Sequence, residues 1–176
     1  MGFVKGAVLS VIGCLFALLV SACSSQNSSE ALKETDAVYY LVRHAEKTTQ
    51  KNDPGLTDAG VRRANDLAER LSGIKLDKIY ASNYIRTRDT AAPAAKAQGV
   101  AVEIYNPADL EGFATVLLAQ TGHILVVGHS NTTPPLAEFL GGEGGEPIVE
   151  ASEYNRFYVI TRSGANIASD IQTFGE

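Results

Sequence analysis

Residues 37–44 read Ala-Val-Tyr-Tyr-Leu-Val-Arg-His. Six largely branched or aromatic residues run straight into a guanidinium and an imidazole. Such residues fit the pleated surface of a strand, so residues 37–42 are predicted as one. Three similar runs follow at Lys78–Ala81, Val100–Tyr105 and Ile124–Val127. Helical patterns lie between them. Thr57–Leu71 opens on a good N-cap residue, spaces Val61, Ala64, Leu67, Ala68 and Leu71 by threes and fours, and stops before Gly73. Arg86–Gln98 is alanine-rich and ends at Gly99, with Pro93 predicting a kink or a late start. Ala108–Ala119 carries Leu110, Phe113, Ala114, Leu117 and Leu118 on one helical face. Asn155–Thr161 and Ile167–Phe174, parted by Ser163-Gly164, read as a closing hairpin. Regular strand-helix alternation predicts a single α/β domain with a mostly parallel sheet flanked by helices on both faces.

On the N-terminal side the character changes. Lys5 precedes Gly6–Val20, an uncharged, mostly apolar run of 15 residues that is short for a membrane-spanning helix. Val20-Ser21-Ala22-Cys23 follows, with small residues at the two positions before a cysteine. This resembles the lipobox of bacterial lipoproteins, in which the cysteine is lipidated and becomes the new N-terminus. Ser24–Glu30 is a polar tether with nothing to pack. The expected organisation is a lipoprotein signal peptide at residues 1–22, a tether at 23–36 and the folded domain at 37–176. No aspartate follows Cys23 directly, which resembles the class sorted to the outer membrane in cells with two membranes. The expected location is therefore the bacterial cell envelope, with the protein held at the membrane by its lipid.

The two cysteines are Cys14 and Cys23, so the folded part contains none and no disulfide staples it. The formal net charge is −5 without any basic run, which argues against nucleic acid as a partner. With 45% apolar residues, 176 residues suffice for one domain with a real core. Gly141–Gly145 lacks the Gly-Lys-Ser/Thr of a phosphate loop and reads as a flexible connection.

Three polar clusters follow three of the strands: Arg43-His44, Ser82–Arg86 and Gly128-His129-Ser130. In a parallel sheet the carboxyl ends of the strands share one edge, where α/β proteins bind ligands. Two arginines and two histidines should therefore converge. A guanidinium fork matches phosphoryl oxygens and stays charged at any working pH. A neutral imidazole beside it can attack phosphorus.

At these residues a resemblance appears. Leu41-Val-Arg-His-Ala-Glu-Lys47 resembles the Arg-His-Gly signature of the histidine phosphatase (phosphoglycerate-mutase-like) superfamily, with Ala45 where that family has glycine. Leu56-Thr-Asp-Ala-Gly60 is similar to its Leu-Thr-x-x-Gly helix start, Ser82–Ala91 to its second-arginine motif, and Val127-Gly-His-Ser-Asn131 to its second-histidine motif. The resemblance spans residues 38–140 in the family's order. It implies that His44 is the catalytic nucleophile and becomes phosphohistidine, that Arg43 and Arg86 grip the non-bridging oxygens, and that His129 donates to them in the transition state. The arginine charges are expected to keep His44 neutral.

Family members acting on small molecules place a carboxylic acid after the third strand or directly after the second histidine. Ser130 occupies the latter position, so Asp109 is the candidate general acid, with Glu111 in reserve; an aspartate there can equally serve as helix N-terminal charge. Short members resembling protein phosphohistidine phosphatases work without an acid. The expected substrate is thus a phosphorylated small molecule or a phosphoprotein.

Other chemistries fit less well. Gly128-His-Ser-Asn-Thr132 resembles a serine-hydrolase elbow, but its fifth position is Thr132 and no histidine follows His129. A metal shared by His44, His123 and His129 fails because His123 and His129 stand six residues apart on one extended strand, or about 20 Å at ~3.3 Å per residue. His123 reads as a strand-start residue, and no metal or cofactor is expected. The non-enzyme alternative is a lipoprotein that keeps the fold and binds a phosphoryl ligand with little or no turnover.

Overall fold

All seven residues of β1 (Ala37–Arg43) are buried, because the strand has a neighbour on either side and helices over both faces. It pairs in parallel with β4 (Gly122–Gly128), register running from Ala37 opposite Gly122 to Arg43 opposite Gly128. Its other edge pairs antiparallel with β5 (Arg156–Ser163). The computed structural model describes residues 1–3 and 36–175. With β2 (Lys78–Ser82), β3 (Val102–Tyr105) and β6 (Asn166–Thr173), the sheet has six strands in the order β3-β2-β4-β1-β5-β6. The first four are mutually parallel, and the β5-β6 hairpin closes the sheet antiparallel. This is the predicted single α/β domain.

Alternate residues of β1 face opposite layers, as the two-residue period of a strand requires. Val38, Tyr40 and Val42 pack with Leu67 and Leu71 of the first helical segment and Ala91 and Ala94 of the second. Those segments are α1 (Asp58–Arg70) and α2 (Ile85–Gln98). Tyr39 and Leu41 pack on the other face with Phe113 and Leu117 of α3 (Leu110–Leu118) and Leu136 of α4 (Thr133–Phe139). Each fully buried Leu, Ile or Phe of these layers contributes ~1.5–3 kcal/mol relative to exposure.

Local chemistry fixes where these elements begin. Thr57 caps α1 by accepting the Gly60 N–H at 3.1 Å. A Cβ on Gly60 would lie 2.3 Å from the Glu46 carbonyl oxygen, so the motif's glycine is required by backbone contact between α1 and the segment after β1. α2 starts at Ile85, so Pro93 does not delay it, and only the Asp89 carbonyl loses its helical donor. β3 starts two residues later than predicted, because Gly99 turns left-handed (φ 68°) and the Val100 N–H returns to the Ala95 carbonyl at 3.1 Å.

α4 was not anticipated. Its two prolines, Pro134 and Pro135, sit in the first turn, where helical N–H groups have no carbonyl to meet. Gly141–Gly145 follows it and is tied down: the Gly142 N–H closes α4 on the Ala137 carbonyl at 2.9 Å, and Tyr158 Oη donates to the Gly144 carbonyl at 2.8 Å. It is a helix stop and connector. The proposed signal peptide beyond Phe3, with Cys14, Cys23 and nearly all of the tether, lies outside the described residues. Among the described residues, no helix is long and apolar enough to cross a membrane.

Candidate functional site

The carboxyl ends of β1, β2 and β4 bring the three polar clusters to one edge of the sheet. The ladder continues one step past β1, where the His44 N–H donates to the Gly128 carbonyl at 2.9 Å. His44, Arg86 and His129 thereby line one cavity of about 510 Å³. Gly128 permits this approach: a Cβ there would lie 2.9 Å from both Thr132 Oγ1 and Tyr105 Oη.

His44 is 3% exposed. Its Nδ1 lies 2.7 Å from the Ala45 carbonyl, and a carbonyl only accepts, so Nδ1 carries the ring proton. The lone pair is then on Nε2, which has no hydrogen-bond partner among the described residues. The Ala45 N–H donates to Thr90 Oγ1 at 2.9 Å, and Thr90 donates to the Arg86 carbonyl at 2.7 Å. Thr90 thus couples the His44 turn to the first turn of α2. Burial pushes the pKa of His44 down to about 3, with Arg43, His129 and Arg86 adding smaller downward effects. The ring is neutral as expected, but desolvation, rather than arginine charge, is the main cause.

The His129 ring lies 5.4 Å from that of His44, inclined at 68°. Its Nε2 is 2.8 Å from Ser82 Oγ, and its Nδ1 receives a long hydrogen bond, 3.4 Å, from Arg86 Nη2. Burial again dominates, followed by Arg86 and then Arg43, and lowers its pKa to about 4. Arg86 is held over the Tyr84 ring at 4.4 Å. Its Nη1 is 3.6 Å from Asp53 Oδ1, and its Nε is buried with no acceptor.

Arg43 differs from expectation. It is 1% exposed and does not line the cavity. Its two terminal nitrogens donate to the Glu153 and Glu150 carbonyls, each at 2.8 Å. Its guanidinium carbon lies 4.1 Å from the Tyr154 ring centroid. Only Nε remains as a buried donor without a partner. The principal contact of Arg43 is therefore with the segment before β5, and its charge reaches the two histidines from behind.

The candidate acids do not join the cavity. Asp109 caps α3, its Oδ1 accepting the Gly112 N–H at 3.0 Å, and it borders a different cavity beside Tyr80 and Phe113. Glu111 is exposed in the first turn of α3. Among the described residues, the one carboxylate on the cavity wall is Glu150, whose side chain is 69% exposed and 3.9 Å from Lys47 Nζ. His123 lies near the start of β4, where its Nδ1 meets Tyr40 Oη at 2.9 Å. Among the described residues, no three His, Cys, Asp or Glu side chains cluster as a metal site.

Asp53, Tyr84, Tyr154 and Glu150 were not singled out as site residues in the sequence. Asp53 had a local signal: it stands before Pro54-Gly55 and takes a left-handed φ of 43°, a conformation that aspartate tolerates and that marks a constrained turn. It accepts the Ile85 N–H at 2.9 Å while facing Arg86. Tyr84 lay inside the second-arginine motif. Tyr154 and Glu150 reach the site from over 100 residues beyond Arg43, and nothing local marks them.

Two histidines and an arginine surround one cavity at the carboxyl edge of the α/β sheet, with a buried second arginine behind them, an arrangement of donors and fixed positive charge whose geometry suits an anion. Residues 39–109 match the histidine phosphatase superfamily (branch 1). This segment runs from β1 to the cap of α3 and contains Arg43, His44 and Arg86. No curated protein sequence matches the chain. Among solved structures, the protein histidine phosphatase SixA complexed with tungstate is similar at 14% identity, covering 77% of this chain and 96% of its own, with a TM-score of 0.62. A chain from Agrobacterium tumefaciens, provisionally assigned as the phosphohistidine phosphatase SixA, is 23% identical, with 79% and 99% coverage and a TM-score of 0.61. The phosphoserine phosphatase of Entamoeba histolytica, in complex with 3-phosphoglyceric acid, is 16% identical, with 80% and 97% coverage and a TM-score of 0.53. These similarities establish the phosphoglycerate-mutase-like fold.

Proposed function

We propose that the chain is a histidine phosphatase that hydrolyses a phosphomonoester or a phosphohistidine through a phosphoenzyme intermediate on His44. The observation that carries this reading is the lone pair on His44 Nε2, fixed by the Nδ1 contact with Ala45 in a cavity shared with Arg86 and His129. In the first step Nε2 bonds to phosphorus and the bond to the leaving group breaks, its electrons departing with that group. In the second, water attacks phosphorus and the P–N bond breaks, returning the electron pair to Nε2. Arg86 supplies fixed positive charge to the non-bridging oxygens, His129 donates to them as their charge grows, and Arg43 contributes its free Nε and its field. No step requires a metal or cofactor, so dialysis against a strong chelator should leave the rate unchanged. The protein would act in the bacterial cell envelope, anchored through lipidated Cys23.

Asp109 is engaged as the cap of α3 and lies off the cavity wall, which supports substrates whose leaving groups depart without protonation, such as phosphohistidine or aryl phosphates. The same placement favours the second reading, a lipoprotein that binds phosphoryl ligands with little turnover. Purified full-length protein in detergent, assayed on a generic aryl phosphate, separates the two. Expected are turnover, an acid-labile and base-stable phosphate on His44, and no activity in His44→Ala. Full activity in His44→Ala would end the mechanism. A wild type that binds phosphate without turnover would establish the second reading.

A further inference from the structure

Ser82 closes β2 with 0% exposure, and the steps proposed above leave its hydroxyl unused. Its Oγ lies 2.8 Å from His129 Nε2 and 3.1 Å from Thr87 Oγ1. Thr87 Oγ1 in turn is 2.7 Å from the Ser82 carbonyl and 2.9 Å from the Tyr84 carbonyl. Both of these only accept, so the single proton of Thr87 goes to a carbonyl. Thr87 can then face Ser82 only as an acceptor. On the other side of His129, Arg86 Nη2 can only donate, and it approaches Nδ1 at 3.4 Å. One assignment satisfies every member of the chain. His129 donates from Nε2 to Ser82, Ser82 donates to Thr87, Thr87 donates to a carbonyl, and Nδ1 keeps its lone pair.

We propose that Ser82 is a positioning residue that fixes His129 with its proton on Nε2, so that Nδ1 is the ring atom presented to the phosphoryl group. The inference rests on the reading of His129 as a partner of that group and adds how the ring is set for the task. A monoprotonated phosphoryl group brings its own proton. On binding, that proton passes from the phosphoryl oxygen to Nδ1, and the imidazolium so formed donates its Nδ1–H back to that oxygen as charge builds there. No other bond changes, and no outside acid is used. The imidazolium so formed keeps its Nε2–H on Ser82, whose own proton is already committed to Thr87. Ser82 and Thr87 keep their partners throughout, which matters because an unsatisfied buried donor is costly, and Arg86 Nη2 exchanges Nδ1 for a phosphoryl oxygen. The charged and titratable groups around the ring are Arg86, Arg43, His44 and Tyr84. Asp53 faces Arg86 at 3.6 Å.

The test is the nitrogen chemical-shift pattern of His129 in the full-length protein, read by long-range proton-nitrogen correlation, together with steady-state kinetics on an aryl phosphate. Expected for the wild type is the tautomer protonated on Nε2. Ser82→Ala should disturb that pattern and lower kcat about tenfold, the factor that corresponds to one net buried hydrogen bond, with KM within about twofold. Ser82→Thr should restore the hydroxyl, the pattern and most of kcat. A wild-type ring protonated on Nδ1 would overturn the proposal without any variant having to fold. So would a Ser82→Ala protein with unchanged shifts and kcat. Loss of the parent reading is distinguishable, because a wild type inactive on every phosphoryl substrate would fail whatever tautomer is found.

Discussion

The β2–α2 junction and the segment before β5 both serve the same site, and they are built in opposite ways. At the junction the turn is fixed by short-range contacts, with Thr87 returning to the Ser82 and Tyr84 carbonyls and Thr90 to Arg86, and longer contacts run from it to Ala45, Asp53 and His129. The segment before β5 is held from a distance, by Arg43 reaching the carbonyls of Glu150 and Glu153 across 107 and 110 residues. The junction presents charge to the cavity through Arg86. The far segment instead consumes the terminal nitrogens of an arginine to stay in place. In the proposed function the first region carries the chemistry, and the other walls the cavity and depends on a buried cation for its position.

That contrast predicts different failures for the two arginines. Arg86→Ala removes a charge aimed into the cavity and should cut kcat about 10²–10³-fold, as loss of one transition-state donor commonly does, while thermal unfolding moves little. Steady-state kinetics beside a melting curve checks this. A variant that kept wild-type kcat would move Arg86 out of the machinery.

Between the two regions lie the histidines, and their burial makes stability depend on pH. His44 and His129 have pKa values lowered to about 3 and about 4, against ~6.5 in the unfolded chain. Between those values the unfolded state binds more protons, so stability rises with pH through the window and is lost as pH falls below the unfolded value. Each histidine contributes a slope of up to about 1.4 kcal/mol per pH unit. Urea midpoints at pH 7.5, 6 and 5 should decline accordingly, while the ring resonances of both histidines stay unshifted in the native protein down to pH 5. Native titration near 6.5 would contradict the burial that sets this site.

Arg43→Met should act mainly on the far segment. It strips donors from the Glu150 and Glu153 carbonyls and should cost about 2 kcal/mol, within the range for stranded polar groups. Hydrogen exchange over residues 149–155 should accelerate while the Ser82–Thr90 backbone stays protected. Equal acceleration in both places would erase the distinction between the regions.

The same division explains what was legible in the sequence. His44, Arg86 and His129 each follow a strand whose composition is plain, and sheet topology alone brings them together. Gly60 and Thr57 were readable because their contacts are local. Asp109 illustrates the limit: Asp-x-x-Gly at a helix start is both an N-cap pattern and a carboxylate near the site, and only the fold decides that it caps. The Arg43 contacts were not legible, because two backbone carbonyls accept them and carbonyls leave no mark on residue identity. α4 was missed because its prolines, unfavourable inside a helix, are placed in the first turn.

The smallest effect expected is at Glu150, and it tests whether the far segment is wall or machinery. Its backbone carbonyl is fixed by Arg43, but its side chain is mostly exposed and pairs with Lys47 at 3.9 Å. A general acid must be held within hydrogen-bond reach of the leaving group, and a side chain 69% exposed with one long ionic contact is not held there. Glu150→Gln should therefore change kcat by less than about twofold on an aryl phosphate and equally little on an alkyl phosphate, against the ~10²–10⁴ that loss of a true general acid costs. Both proteins should favour the aryl ester steeply, because without a proton donor the rate follows the leaving group's own stability. If Glu150→Gln lost the alkyl ester alone by a hundredfold, the carboxylate would be delivering a proton after all. The far segment would then belong to the chemistry.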